Sequence, residues 1–318
     1  MIIADLFYIV LFVTVFGSMA WILIMFFQNI LRIRIPFYLC TVMLLFYTIP
    51  FFSPGLTLVM QDQKWISAFL TASKIWMIGC YISLGYLIFR SAYAYFTVRK
   101  YIPCHEKAVL HILRRSAALL GMKKLPEILY GDLKDPACVI SAGHPKIILS
   151  KRISEQLAEQ ELTVILTHEL IHIKRDHLLL QKCIDVIVCM HWFNPLAWAA
   201  RHEFSVCCEM DCDQNVFRNI PGLSASDYAN LMLKMLKLAL PHKCCTANAI
   251  GTLDFLLARH RFQSILSTTS TVKKCFSVIL SFTIMTTVIS GSLVSSRTYF
   301  CSSALTMNTR VERSVSHE

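Results

Sequence analysis

The chain has 318 residues, 55% of them hydrophobic and only 16% charged, and its Lys and Arg exceed Asp and Glu to give a formal net charge of +11. The apolar residues are bunched, which argues for a membrane protein. Much of the basic excess borders the apolar runs and no aromatic-basic binding module is present, so direct nucleic-acid binding is excluded and membrane lipids with anionic headgroups are the expected partner of the charge.

Four runs read as membrane spans. Phe7 to Phe27 holds no charged residue over twenty-one positions, long enough to cross a bilayer. A signal peptide is disfavoured there, because the run is too long and no basic segment leads it. A second span falls at about 36–52, short but uncharged, and a third at about 75–96, where Arg90 can snorkel to the interface. Phe276 to Ser296 is the fourth, leaving 297–318 as a short extracytoplasmic tail. Residues 1–96 thus carry three spans, 97–275 form one domain, and 276–296 return to the membrane.

Basic residues beside the spans set the orientation. Arg32, Arg34, Arg99, Lys100, Lys107, Lys273 and Lys274 mark the cytoplasmic side, whereas the loop from Ser53 to Ser73 is poor in Lys and Arg. Both termini then lie outside and the 97–275 domain inside. Cysteine usage agrees, since ten of the thirteen Cys fall between Cys104 and Cys275, on the reducing side, where a disulfide framework is not expected.

The cytoplasmic region is large enough to bury its own core. Glu106 to Leu120 reads as an amphipathic helix ended by Gly121. Short apolar runs follow at Glu127–Tyr130, Ala137–Ser141 and Lys146–Ser150, with a turn at Gly143-His144-Pro145, so a small sheet with a hairpin is predicted. The hairpin offers either plain structure or an exposed edge on which an extended peptide could add a strand.

Next comes His168-Glu169-Leu170-Ile171-His172, within a stretch from about Glu159 to His177 that has no Pro or Gly. On a helix this spacing puts two imidazoles one turn apart on one face with a carboxylate beside them. His168 and His172 are therefore candidate ligands of a zinc ion, and Glu169 a general base that takes a proton from an activated water and passes it to a leaving amine. Such a site needs a third protein ligand. Glu209 is the candidate, on a helical segment where Asp213 follows one turn later and can orient a ligand imidazole. Leu178 to Ala200 is nearly long enough to span, but Lys182, Asp185 and His191 lie within it and Asn194-Pro195 interrupts it. It reads as a buried or membrane-adjacent helix, because a fifth span would carry Glu209 across the bilayer from His168. Cys207, Cys208 and Cys212 read as core or interface cysteines, as do the adjacent Cys244 and Cys245. His202 and His260 are candidate oxyanion stabilisers, although lone histidines are more often structural.

Four motifs, Cys138-Val-Ile-Ser-Ala-Gly-His-Pro-Lys-Ile-Ile-Leu-Ser150, His168-Glu-Leu-Ile-His-Ile-Lys-Arg-Asp-His177, Trp192-Phe-Asn-Pro-Leu-Ala-Trp198 and Glu209-Met-Asp-Cys-Asp213, together resemble the BlaR/MecR-type antirepressor family of bacterial membrane metallopeptidases. The resemblance implies an α-helical multi-pass membrane protein of four spans with a cytoplasmic, mainly helical α+β, gluzincin-like zinc metallopeptidase domain. It implies His168, His172 and Glu209 as zinc ligands, Glu169 as general base, Asp213 as supporting acid, and Asp176, one further helical turn beyond His172, as a residue of a salt bridge or ligand-orienting contact. It also implies a protein substrate, either the chain itself or a BlaI/MecI-like transcriptional repressor, with a homodimer as a further assembly. The penicillin-binding sensor domain of the family is not expected here, since no Ser-x-x-Lys follows the last span. Two other readings fit the same motif: a membrane quality-control protease of the HtpX kind, and a zinc-stabilised signalling scaffold that never cleaves, against which the intact Glu169 argues.

Overall fold

A computed structural model describes residues 2–31, 63–131, 133, 136–140 and 144–239. The expected spans at 36–52 and 276–296, the tail, His260, Cys244 and Cys245 lie outside the described residues. In chain order the elements are α1 Ile2–Leu31, α2 Gln63–Val98, β1 Ile102–Pro103, α3 Lys107–Leu119, β2 Glu127–Gly131, β3 Ala137–Ile140, β4 Lys146–Ser150, α4 Lys151–Ser154, α5 Glu159–Lys174, α6 His177–Met190, α7 Pro195–Asn219 and α8 Ala225–Ala239. Two compact units divide the described residues, one gathering 2–31, 63–87 and 184–202, the other 88–183 and 203–239.

Helix α2 contains the described residues' one segment long and apolar enough to cross a membrane, Ser67–Val98, and α1 carries a shorter apolar run, Ile9–Leu23. The helix begins at Gln63, so part of the loop expected at 53–73 is helical: Trp65 to Leu70 has no Gly or Pro to stop it. Along α2, Ile75, Ile78, Tyr81, Ile82, Tyr86, Ile88, Phe89, Tyr93 and Phe96 are all more than half exposed. These residues occupy several sides of the helix, a pattern suited to a lipid surround rather than to one buried stripe.

In the first unit, Phe7, Val10 and Trp76 form a buried cluster with Phe69, Met190 and Trp192 against it. Trp76 Nε1–H donates to the Met190 carbonyl at 2.9 Å, and Trp192 Nε1–H donates to the Trp76 carbonyl at 3.2 Å. Gly79 makes room for this exchange, since a Cβ there would fall 2.2 Å from Cε2 of Trp192. The stretch Leu178 to Ala200 is not one helix. It ends α6 at Met190, turns, and restarts at Pro195, where Asn194 Oδ1 accepts the Leu196 N–H at 3.0 Å as an N-cap and Pro195 fills the first helical position. Asn194 Nδ2 also donates to Ser18 Oγ at 3.0 Å, and Arg201 pairs with the buried Asp185.

The second unit is built on a four-stranded sheet of order β1-β2-β4-β3. The expected hairpin is present as antiparallel β3 and β4, paired Cys138 to Ile148 and Val139 to Ile147, while β2 and β4 run parallel. Central β4 is apolar without alternation, and Ile147, Ile148 and Leu149 are fully buried, as a strand covered on both faces requires. Helix α5 packs on α3 and on β3, and its Leu162, Ile165, Leu166 and Leu170 join Val109, Leu113 and Ile147 in one core. Gly121, at φ +67°, ends the α3 region in the left-handed conformation. The first turn of α5 is fastened by Glu161, whose Oε2 accepts the Ala158 N–H at 2.8 Å and the Lys234 ammonium at 2.6 Å.

One expectation is corrected. The helix does not run to His177 but ends at Lys174, and Asp176 adopts φ +53°, a left-handed conformation that Asp tolerates better than most residues. Lys174 Nζ bonds the Leu120 carbonyl at 2.7 Å, and α6 starts as a separate helix at His177. Asp176 is therefore at a bend and not one helical turn beyond His172.

Candidate metal centre

Uninterrupted helix between Glu159 and Lys174 puts His168 and His172 on one face of α5, both buried. Their Nε2 atoms are 3.2 Å apart. Helix α7 brings Glu209 to the same point: Oε2 lies 3.4 Å from Nε2 of His168 and Oε1 lies 3.4 Å from Nε2 of His172. Ligands of a tetrahedral zinc at about 2.0–2.1 Å from the ion sit roughly 3.3–3.4 Å from each other. Two imidazoles and a carboxylate at these separations fit zinc in both chemistry and spacing. A fifth span would have kept Glu209 from this position, and the Asn194-Pro195 break is what lets α7 start afresh.

Glu169 is half-buried between His168 and Leu170, which are both buried, and its charge acts on the thiol of Cys212. Asp213, one turn after Glu209, is buried, and its Oδ1 lies 3.3 Å from Nδ1 of His168. The same oxygen accepts the hydroxyl of Tyr228 from α8. A carboxylate on the far nitrogen of an imidazole fixes the ring and its tautomer.

His172 has a different neighbour. Its Nδ1 lies 3.2 Å from Nδ1 of His177, which is fully buried at the start of α6. His177 Nε2 faces Asp211 Oδ2 at 3.6 Å, and Arg175 Nε holds that oxygen at 3.2 Å. Sequence reasoning did not assign His177 a role. Five residues after His172, it would stand about 140° around a straight helix, and only the bend at Asp176 swings it back.

The cysteines divide. Cys207, Cys208 and Cys212 are all buried, and burial raises the thiols of Cys208 and Cys212 above their ordinary range, with Glu209 adding to the effect. Cys212 lies in the core of the second unit, as expected, and also offers a donor atom within 4.8 Å of donors from both His168 and His172. Its Sγ, however, lies 3.4 Å from Nδ1 of His177, at the Nδ1 end of His172, whereas Glu209 faces the Nε2 atoms. Glu209 therefore completes the convergent set. His202 belongs to the other unit. The eight cysteines among the described residues are all free thiols.

The family described as BlaR1 peptidase M56 matches residues 51–253. The chain belongs to this family. Among similar proteins, the regulatory protein BlaR1 of Bacillus licheniformis is 33% identical over 90 residues, covering 28% of this chain and 15% of that protein. The methicillin resistance mecR1 protein of Staphylococcus aureus (strain Mu50 / ATCC 700699) is 26% identical over 161 residues, half of this chain and 27% of the other, and that of Staphylococcus epidermidis matches equally. The aligned parts thus span well under a third of these relatives. The M56 match covers the whole His168 to Asp213 constellation.

Proposed function

We propose that this M56 member is a zinc-dependent endopeptidase of the bacterial cell membrane that acts as a signal-transducing antirepressor, its catalytic domain facing the cytoplasm. Its substrate is a protein: the chain itself, a BlaI/MecI-like transcriptional repressor, or both. The observation that carries the reading is the convergence of both Glu209 oxygens on the Nε2 atoms of His168 and His172, 3.4 Å from each.

His168, His172 and Glu209 would hold zinc, which when bound supplies Lewis acidity that makes a water more acidic and an amide carbonyl more electrophilic. Glu169 takes the proton of the attacking water and delivers it to the leaving amine, a transfer its place next to His168 and its partial exposure allow. Asp213 keeps His168 aligned. The outer edge of β3 offers backbone groups to an extended substrate segment. The apolar circumference of α2 holds the chain in the bilayer.

The test is a comparison of cells making the intact protein with cells making Glu169→Ala, by quantitative proteomics of fragments. One fragment present with the former and absent with the latter is expected, while the purified variant keeps its zinc. Cleavage at the normal rate by Glu169→Ala would overturn the catalytic assignment. Many misfolded membrane proteins cut, with no single repressor among them, would favour a quality-control protease.

A further inference from the structure

We infer that His177 is a positioning residue for the metal centre, fixing the ring and tautomer of His172 through an imidazole-to-imidazole hydrogen bond. The inference rests on the proposed zinc site and extends it to a residue outside the His-Glu-x-x-His run.

The argument is one of proton balance. A ligand imidazole that gives its Nε2 lone pair to a metal carries its hydrogen on Nδ1. For His172 that hydrogen points at Nδ1 of His177, 3.2 Å away, so this nitrogen must be the acceptor. The hydrogen of neutral His177 is then on Nε2, the atom that faces the Asp211 carboxylate at 3.6 Å. Asp211 is held in turn: Arg175 Nε lies 3.2 Å from its Oδ2, and Asn215 donates to its backbone carbonyl at 2.7 Å while accepting from Arg175 Nη2 at 3.1 Å. His172 thus donates to His177, and the Nε2–H of His177 is turned toward Asp211 at 3.6 Å, an electrostatic contact longer than a hydrogen bond. Cys212 Sγ, 3.4 Å from His177 Nδ1, is the weaker donor to the same lone pair. His177 is fully buried, so water does not substitute for these partners.

The two histidine ligands are therefore held by unlike means: Asp213 directly on His168, and a neutral imidazole backed by Asp211 on His172. The bend at Asp176 makes the second arrangement, because it turns the first residue of α6 back toward α5.

The experiment uses the full chain in detergent micelles and measures the apparent zinc dissociation constant by competition with a chromophoric chelator, alongside the melting temperature of the metal-free protein. His177→Leu is expected to weaken zinc binding about tenfold to a hundredfold. His177→Asn, whose side-chain oxygen can stand where Nδ1 stood and accept from His172, is expected to recover most of that loss. Asp211→Ala weakens binding in the same direction by a smaller factor, and carries the test together with His177→Asn if the leucine variant does not fold. Zinc binding by a folded His177→Leu within twofold of the parent overturns the inference and leaves the site reading intact, as do equal losses in the Asn and Leu variants. If the parent binds no zinc, or His172→Ala binds it as tightly as the parent, the proposed site itself fails and the inference with it.

Discussion

Tyr228 donates its hydroxyl to Asp213 Oδ1, the same oxygen that lies 3.3 Å from Nδ1 of His168. The candidate metal centre is thus tied to α8, an element with no residue in the recognised motif. Asp213→Ala should lower zinc affinity by about tenfold to a hundredfold, the usual cost of losing a carboxylate behind a ligand histidine. Tyr228→Phe removes one hydrogen bond to that carboxylate and should cost about 1.5–3 kcal/mol or less of its hold on Asp213, so its effect on zinc affinity is smaller. Chelator competition on both variants checks the ranking. A larger loss for Tyr228→Phe than for Asp213→Ala would show that the aspartate is not the intermediary.

Metal removal provides a second check, because a ligand that binds only the folded chain raises its stability by mass action, about 2.7 kcal/mol at a hundredfold excess over the dissociation constant. Zinc chelation should lower the melting temperature of the parent protein. In Glu209→Ala one of the three donors is gone, so the same treatment should produce a much smaller shift. Melting curves with and without chelator decide it, and an equal shift in the two proteins would remove Glu209 from the ligand set.

The His168–His172 pair was legible because it needs only one unbroken helix, and the sequence between Glu159 and Lys174 contains nothing that breaks one. Strands β2, β3 and β4 were legible for a similar local reason: short apolar runs separated by turn residues. Glu209 could be named from its residue type and its partner Asp213, but its distance from His168 depends on where α7 begins, which the Asn194-Pro195 cap determines. His177 was not legible. Its orientation follows from a single backbone angle, φ +53° at Asp176, and no periodicity encodes a left-handed residue at a non-glycine position. The same applies to Cys212, whose helix position is readable but whose approach to the histidine rings depends on how α7 lies against α5 and α6.

Glu161 gives the second unit a pH dependence with a definite sign. Burial works to raise its pKa, but the hydrogen bond and charge of Lys234 and the Ala158 N–H outweigh it and hold the carboxyl below the ordinary value of 4.5. A carboxyl with a depressed pKa in the folded state contributes stability above its unfolded value and loses that contribution as pH falls through the folded value. Acid titration of the melting temperature should therefore show a limb just below pH 4.5 that is flatter in Glu161→Gln. Lys234→Met should flatten it too, since the pair is what depresses the pKa. Unchanged acid limbs in both variants would mean that α5 and α8 are not joined through this pair.

Gly79 and Gly85, two glycines of α2, should respond oppositely to alanine. At Gly79 a Cβ would stand 2.2 Å from Cε2 and 2.4 Å from Nε1 of Trp192, whereas at Gly85 nothing lies within 4 Å. The indole of Trp192 cannot withdraw without giving up its hydrogen bond to the Trp76 carbonyl. Gly79→Ala therefore overpacks the cluster around Phe7, Val10 and Trp76, at a cost of about 1–3 kcal/mol. Gly85→Ala adds a methyl group to open space and removes a helix-weakening glycine, so it should be neutral or slightly stabilising. Thermal unfolding in micelles, read from tryptophan fluorescence, separates the two. Equal melting temperatures for the two variants would mean that Trp192 does not rest on Gly79.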